Sequence, residues 1–167
     1  MVWREKVPPD FTTLLPLNDL HTRMYALNAP LLRARGDSAL AVWGGHRHDP
    51  LQPLQAPAEP RVELPKLSVH MMRNEHRAEV LNLTNPLDEP LSVTITAAGL
   101  GAYASALTLR EVLFTDTQPR IPVAAAIAPG APAEQGLQVT IPAGTTRQLW
   151  LDFDTRGAPA GDVQGTV

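Results

Sequence analysis

The chain has 167 residues, a net charge of −3 and a pI of about 5.9, which suits one domain with a packed core and leaves no room for two large ones. No Lys/Arg run is present to track phosphates, so nucleic acid is excluded as a partner, and the absence of cysteine excludes disulfides, thiolate metal sites and a Cys nucleophile. The 17 prolines and 11 glycines exceed the usual ~12% share and predict many turns around an aliphatic interior, since aromatics are only 5%.

No stretch has the ~18 apolar residues of a membrane span, and the opening MVWREKVPPDF lacks the apolar core of a signal peptide. The compartment is therefore either the cytoplasm or, if a leader has been removed, the periplasm or exterior. Residues 1–17, with Pro8, Pro9 and Pro16, read as an extended arm in which Trp3, Phe11, Leu14 and Leu15 have surface to bury. Leu20, Met24, Leu27 and Leu31 then recur at spacings of three and four behind a capping Asn18, which predicts a short helix from Asn18 to about Arg35. Pro30 limits it, and the expected break lies at Asn28. Ser38–Trp43 reads as a short strand ended by Gly44 and Gly45, and residues 46–60, with four prolines, as a loop or linker.

From Arg61 the pattern changes to short apolar runs every 8 to 15 residues, which predicts strands. Leu67–Met72 is one and Ala78–Thr84 the next; the apolar phase slips between Val80 and Leu81, so the second is either bulged or buried on both faces. His70 and His76 flank a turn at Arg73-Asn74-Glu75, where Asn74 suits the left-handed conformation and Glu75 suits backbone or Arg bonds. Asn85–Pro90 is a turn. Leu91, Val93 and Ile95 alternate with Ser92, Thr94 and Thr96 as a half-buried strand requires. Ala106–Phe114 fits a helix or a phase-slipped strand, and its neighbours favour the strand. Pro122 confines residues 121–127 to a sheet edge. Leu137, Val139 and Ile141 form another strand, turned by Pro142-Ala143-Gly144 into a closing pair in which Leu149, Leu151 and Phe153 share one face and Val163, Gly165 and Val167 another.

These elements predict an all-β antiparallel sandwich, immunoglobulin-like, over residues 61–167, with residues 1–60 as an arm, short helix and Pro-rich linker packed on it. Two stretches carry a family resemblance. Ser68–Thr84 is similar to a strand, Arg-Asn-Glu turn and strand, and Ile141-Pro142-Ala143-Gly144 through Trp150, then Ala158–Asp162 and Gly165–Val167, to a closing signature. Both resemble the N-terminal β-sandwich domains of large bacterial glycoside hydrolases, relatives of the β-N-acetylgalactosaminidases and associated uncharacterised families. This chain has Val163-Gln164 where the family carries an aromatic. The resemblance implies a non-catalytic module supporting a downstream catalytic barrel, in keeping with Val167 falling inside a strand pattern as though a larger protein continues past it.

The candidate binding residues lie on one strand face. Gln148, Trp150, Asp152 and Asp154 oppose Leu149, Leu151 and Phe153, and an indole on a polar face can stack on a sugar ring while amide and carboxylates bind hydroxyls. The alternative is that Trp150 is covered by the arm, through Trp3 or Phe11, or by a further domain. Asp152 and Asp154 stand about 6.6–6.8 Å apart on an ideal strand, near the carboxylate spacing of inverting glycosidases. Arg147 and Arg156 beside them equally describe a solvated charged surface, and no residue is assigned as catalytic. His46, His48 and Asp49 are the metal candidate, two imidazoles at i and i+2 plus a hard ligand, with no third spacing partner. No cofactor motif occurs. Three readings follow: a supporting module of a carbohydrate-active protein, a free-standing carbohydrate-binding module using Trp150, and a scaffold or assembly protein.

Overall fold

The computed structural model describes residues 9–37, 40–60, 63–117 and 119–167. Trp3, Pro8, Ser38 and Arg61, named above, lie outside the described residues. The elements are α1 (Asp19–Ala26), α2 (Asn28–Arg35), β1 (Ala41–Gly45), β2 (His76–Thr84), β3 (Leu91–Ile95), a 3-10 turn (Gly101–Ala106), β4 (Leu107–Asp116), β5 (Pro122–Ile127), β6 (Ala131–Pro132), β7 (Leu137–Ile141) and β8 (Thr146–Asp154). The protein is an antiparallel β-sandwich: a six-stranded sheet in the order β1-β2-β8-β4-β5, with β6 also on β4, faces a two-stranded sheet of β3 and β7.

Period-two burial explains why these residues form strands. Val139 and Ile141 of β7 are buried while Gln138 and Thr140 are exposed. Between the sheets lie Leu81, Leu83, Leu107, Leu109, Val139, Ile141, Leu149 and Leu151. Each such side chain is stabilised by about 1.5–3 kcal/mol relative to exposure. The ambiguous stretch at 106–114 is strand β4 from Leu107 onward, and its register against β5 shifts between Leu113 and Phe114. β2 is buried on both faces from Val80 to Thr84, without a bulge, because β8 and β1 pair with it regularly on either side. β5 is an edge strand, as Pro122 requires. Asn74 takes φ 57°, and Glu75 accepts hydrogen bonds from Met72 N and Arg77 Nε.

Three expectations are corrected. Leu67–Met72 forms no strand: Leu67 and Met72 are exposed, and the run finds no ladder partner before the chain turns at Arg73. Gly44 and Gly45 do not end β1 but belong to it, opposite Leu81 and Val80. The expected closing hairpin is absent, because β8 is a central strand whose two edges are taken by β2 and β4. A returning strand has no edge of β8 to pair with, so residues 155–167 cross to the other sheet and make one bridge, Thr166 to Ala98.

The helical arm begins as expected, with the Asn18 side chain accepting from His21 N, and breaks at Leu27, whose own helical dihedrals join α1 to α2. Its apolar stripe, however, faces outward: Leu20, Met24, Leu27 and Leu31 are 60%, 59%, 72% and 68% exposed. Tyr25, Ala29 and Leu32 face the sandwich instead. Close approach decides this, since the Asn28 side chain donates to the Gly144 carbonyl at 2.8 Å and the backbone at Tyr25 and Ala29 sits against that turn. Small Ala29 permits that distance, and Leu20, Met24, Leu27 and Leu31 are left outside. Because β1 arises within residues 1–60 and pairs with β2, the sheet draws on both sides of position 60.

Candidate functional site

The outer face of the six-stranded sheet is set by strand register. Trp150 stands between Val80 and Arg110, Gln148 between Asn82 and Val112, and Asp152 between Ala78 and Thr108. On the opposite face Leu149 and Leu151 are sealed into the core. Trp150 is half-buried against a second apolar cluster of Leu15, Tyr25, Leu51, Val112 and Phe114. The cluster it packs against includes Leu15 and Tyr25 of the N-terminal arm, whereas Phe11 is exposed.

Beside Trp150 a groove of about 550 Å³ opens. Val112, Phe114, Gln148 and Trp150 floor it, the loop Arg47–Gln52 forms one wall, and Ile121 with β5 forms the other. Gln148 is only 6% exposed and its Nε2 donates to Asn82 Oδ1 at 3.0 Å. That bond fixes the amide on the strand face that also carries Trp150. Arg47 Nη1 contacts Glu79 Oε1 at 3.2 Å and the Ala78 carbonyl at 3.3 Å, which ties the loop wall to β2. The groove therefore combines an apolar floor with a rim of amide, imidazole and carboxylate groups, the mixture a neutral polyhydroxylated ligand requires.

The sequence candidates divide between two places. Trp150 and Gln148 line the groove together with His48 and Asp49. Asp152 and Asp154 share their strand face but lie outside the lining, each held by its own cation. Asp152 is buried and accepts from Arg110 Nε at 3.2 Å, while His76 Nε2 lies 2.7 Å from its other oxygen without hydrogen-bond alignment. Asp154 receives Arg156 Nε on both oxygens, at 3.0 and 2.9 Å. Those bonds hold its carboxyl down to about 2, too low for a proton donor near neutral pH. Arg147 is not their partner: it lies 3.6 Å from Glu111 and donates to the Leu15 carbonyl at 2.9 Å. Burial raises the Glu111 pKa, and the Arg147 charge opposes that rise.

His46 Nδ1 accepts from the His48 backbone at 3.3 Å and sits 3.9 Å from Asp49 Oδ1, with the two imidazole rings 5.4 Å apart. Among the described residues no three His, Asp or Glu side chains come together to hold a metal ion. No helix among them is long and apolar enough to cross a membrane. Arg110 and Asn82 were missed from sequence and His76 was read only as flanking a turn, because each acts through a residue 40 or more positions away that local spacing does not encode. No protein-family model matches the chain, and no curated protein matches it.

Proposed function

We propose that the chain is a non-catalytic, immunoglobulin-like β-sandwich module of a larger carbohydrate-active protein, and that it supports a neighbouring catalytic domain. The observation that carries this reading is that Leu20, Met24, Leu27 and Leu31, four aliphatic side chains within twelve residues, are all turned to solvent, since exposed aliphatic surface concentrated in one segment marks a contact face. The carbohydrate assignment rests on the resemblance in Ser68–Thr84 and Ile141–Val167. The ion pairs of Asp152 with Arg110 and of Asp154 with Arg156 support the non-catalytic part. A second reading, glycan binding, is favoured by the groove beside Trp150: a pyranose stacked on the indole would lie within reach of Gln148, His48 and Asp49.

One preparation tests both. The chain alone releases no aglycone from a panel of aryl glycosides, and turnover that disappears in Asp152→Asn overturns the supporting role. Titration with soluble glycans separates the second reading, which requires a saturable tryptophan fluorescence change that Trp150→Ala abolishes. A flat titration, or a change that persists in Trp150→Ala, removes the glycan site while leaving the supporting role standing.

A further inference from the structure

Residues 12–17 run as a strap across the end of the six-stranded sheet. Leu15 N donates to the Phe114 carbonyl at 2.9 Å, Thr115 Oγ1 donates to the Thr13 carbonyl at 2.6 Å, and Arg147 Nη2 donates to the Leu15 carbonyl at 2.9 Å. These bonds seat the buried Leu15 side chain in the cluster that holds Phe114 and Tyr25. The strap also closes on itself, since Thr12 N donates to the Leu17 carbonyl at 2.7 Å.

Where the strap enters α1, two bonds run in opposite directions. The Asn18 side chain accepts from His21 N at 2.9 Å, and His21 Nδ1 accepts from Leu17 N at 3.2 Å. This is the reciprocal arrangement of a capping box, in which glutamate or glutamine ordinarily reaches back. Here the reach-back falls on the residue before the cap, and the acceptor is an imidazole. A ring nitrogen accepts only while it carries no proton, so the bond selects the neutral ring with its hydrogen on Nε2.

The packing is tied to the same proton. The His21 and Tyr25 rings lie 4.2 Å apart between centroids, and Tyr25 is the residue by which α1 is buried. Partial burial holds the imidazole below its ordinary value, against the opposing pull of the Asp116 carboxylate on β4. Tyr25 in turn faces Asp116 and Arg147 of β8, and Arg147 lies 3.6 Å from Glu111 of β4. On the arm itself the nearby carboxylates are Asp19 and Asp10, whose Oδ2 accepts from Asp19 N.

We propose that His21 is a proton-operated latch on this strap: protonation of Nδ1 takes the acceptor away from Leu17 N and opens residues 12–21 from the end of the sheet. The direction follows from linkage. The folded surroundings disfavour the charged ring, so the stabilisation that His21 gives is complete above about 6.5, the ordinary histidine value, and is lost as pH falls below it. Glu111 acts the other way, because its burial favours the protonated carboxyl and its contribution improves as pH falls. Opening withdraws Leu15 and Tyr25 from the cluster against which Trp150 packs, so a proton taken up on α1 is felt at the floor of the groove.

The test is amide hydrogen exchange of the whole chain at about pH 7.5 and about pH 5.5, either side of the ordinary histidine value and corrected for the intrinsic pH dependence of exchange. Protection at Leu15 and Leu17 falls at least about fivefold at the lower pH, the effect of leaving one partly buried donor without its acceptor. Leu83 and Val139 in the core keep theirs. His21→Asn sets an amide oxygen near the place of Nδ1 and takes up no proton, so it holds equal protection at both pH values. In the unaltered chain the His21 ring signals, followed by NMR, titrate with a midpoint below 6.5 and in step with the loss at Leu17. Three results each overturn the proposal: unchanged protection at Leu15 and Leu17 in the unaltered chain, a His21 midpoint above 6.5, or a loss in His21→Asn as large as in the unaltered chain.

Discussion

Gly144→Ala lowers stability by about 3 kcal/mol and loosens the helical arm. Gly144 has φ +69°, and a Cβ there would stand 2.5 Å from the Tyr25 carbonyl oxygen and 2.8 Å from Ala29 N. Both neighbours are backbone, so no rotamer change relieves the contact. The left-handed conformation adds roughly 1–2 kcal/mol for any residue with a Cβ. Displacing the arm also strains the Asn28 bond to the Gly144 carbonyl, and moving the turn strains the Gly144 amide bond to the Asn85 carbonyl. The thermal midpoint is expected to fall by roughly 6–12 °C for a domain of this size, with faster proteolytic cleavage between residues 19 and 35. Gly157→Ala is the control, because Gly157 shares the conformation, φ +79°, but has nothing within 4 Å of the added carbon. It should lose only the conformational part. Equal losses for the two variants would show that the arm does not press on the turn.

Asn85→Ala should cost about 2–4 kcal/mol, measured as a shifted midpoint in urea with an unchanged slope. Asn85 is 0% exposed. Its Nδ2 donates to the carbonyls of Glu89 and Ile141 at 2.9 and 3.0 Å, and its Oδ1 accepts from Leu87 N at 2.9 Å. One side chain thus fastens the loop entering β3 to the end of β7. Alanine leaves these buried backbone groups short of partners, and the desolvation cost is not recovered. Asn85→Asp separates the two functions: it retains the acceptor for Leu87 but faces two carbonyls without a donor. It should be at least as damaging as alanine. A loss below 1 kcal/mol in Asn85→Ala would mean that water replaces the amide and that the loop is fastened elsewhere.

Legibility in the sequence followed the range of the interaction that decides each element. β3 and β7 could be read directly, because alternation along one strand reports a half-buried face. Asn18 as a cap, Asn74 in its turn and Pro122 at an edge were equally local decisions. The helical stripe failed for a tertiary reason: Ala29 and Gly144 allow backbone contact, and that contact chose the Tyr25 face over the Leu20 face. The closing hairpin failed because its first strand lies in the middle of the sheet. No periodicity within Thr145–Val167 distinguishes a central strand from an edge one. The candidate site was half legible. Trp150 and Gln148 followed from alternation, whereas the groove wall at Arg47–Gln52 and the contacts of Arg110 and His76 with Asp152 depend on pairing across the sheet.

The central position of β8 has a consequence for synthesis. On one side β8 joins β2 in a register that begins Thr84 to Thr146, and on the other it joins β4. The β1-β2 ribbon and the β4-β5 ribbon meet nowhere else in that sheet. While the polypeptide is being translated, each ribbon emerges with one unsatisfied edge and waits for Thr146–Asp154 to leave the ribosomal tunnel. The final strand acts as a zipper that closes both seams at once, so cooperative folding arrives late and non-local closure sets its rate. Until then the exposed leucines of β2 and β4 are natural ligands for a chaperone.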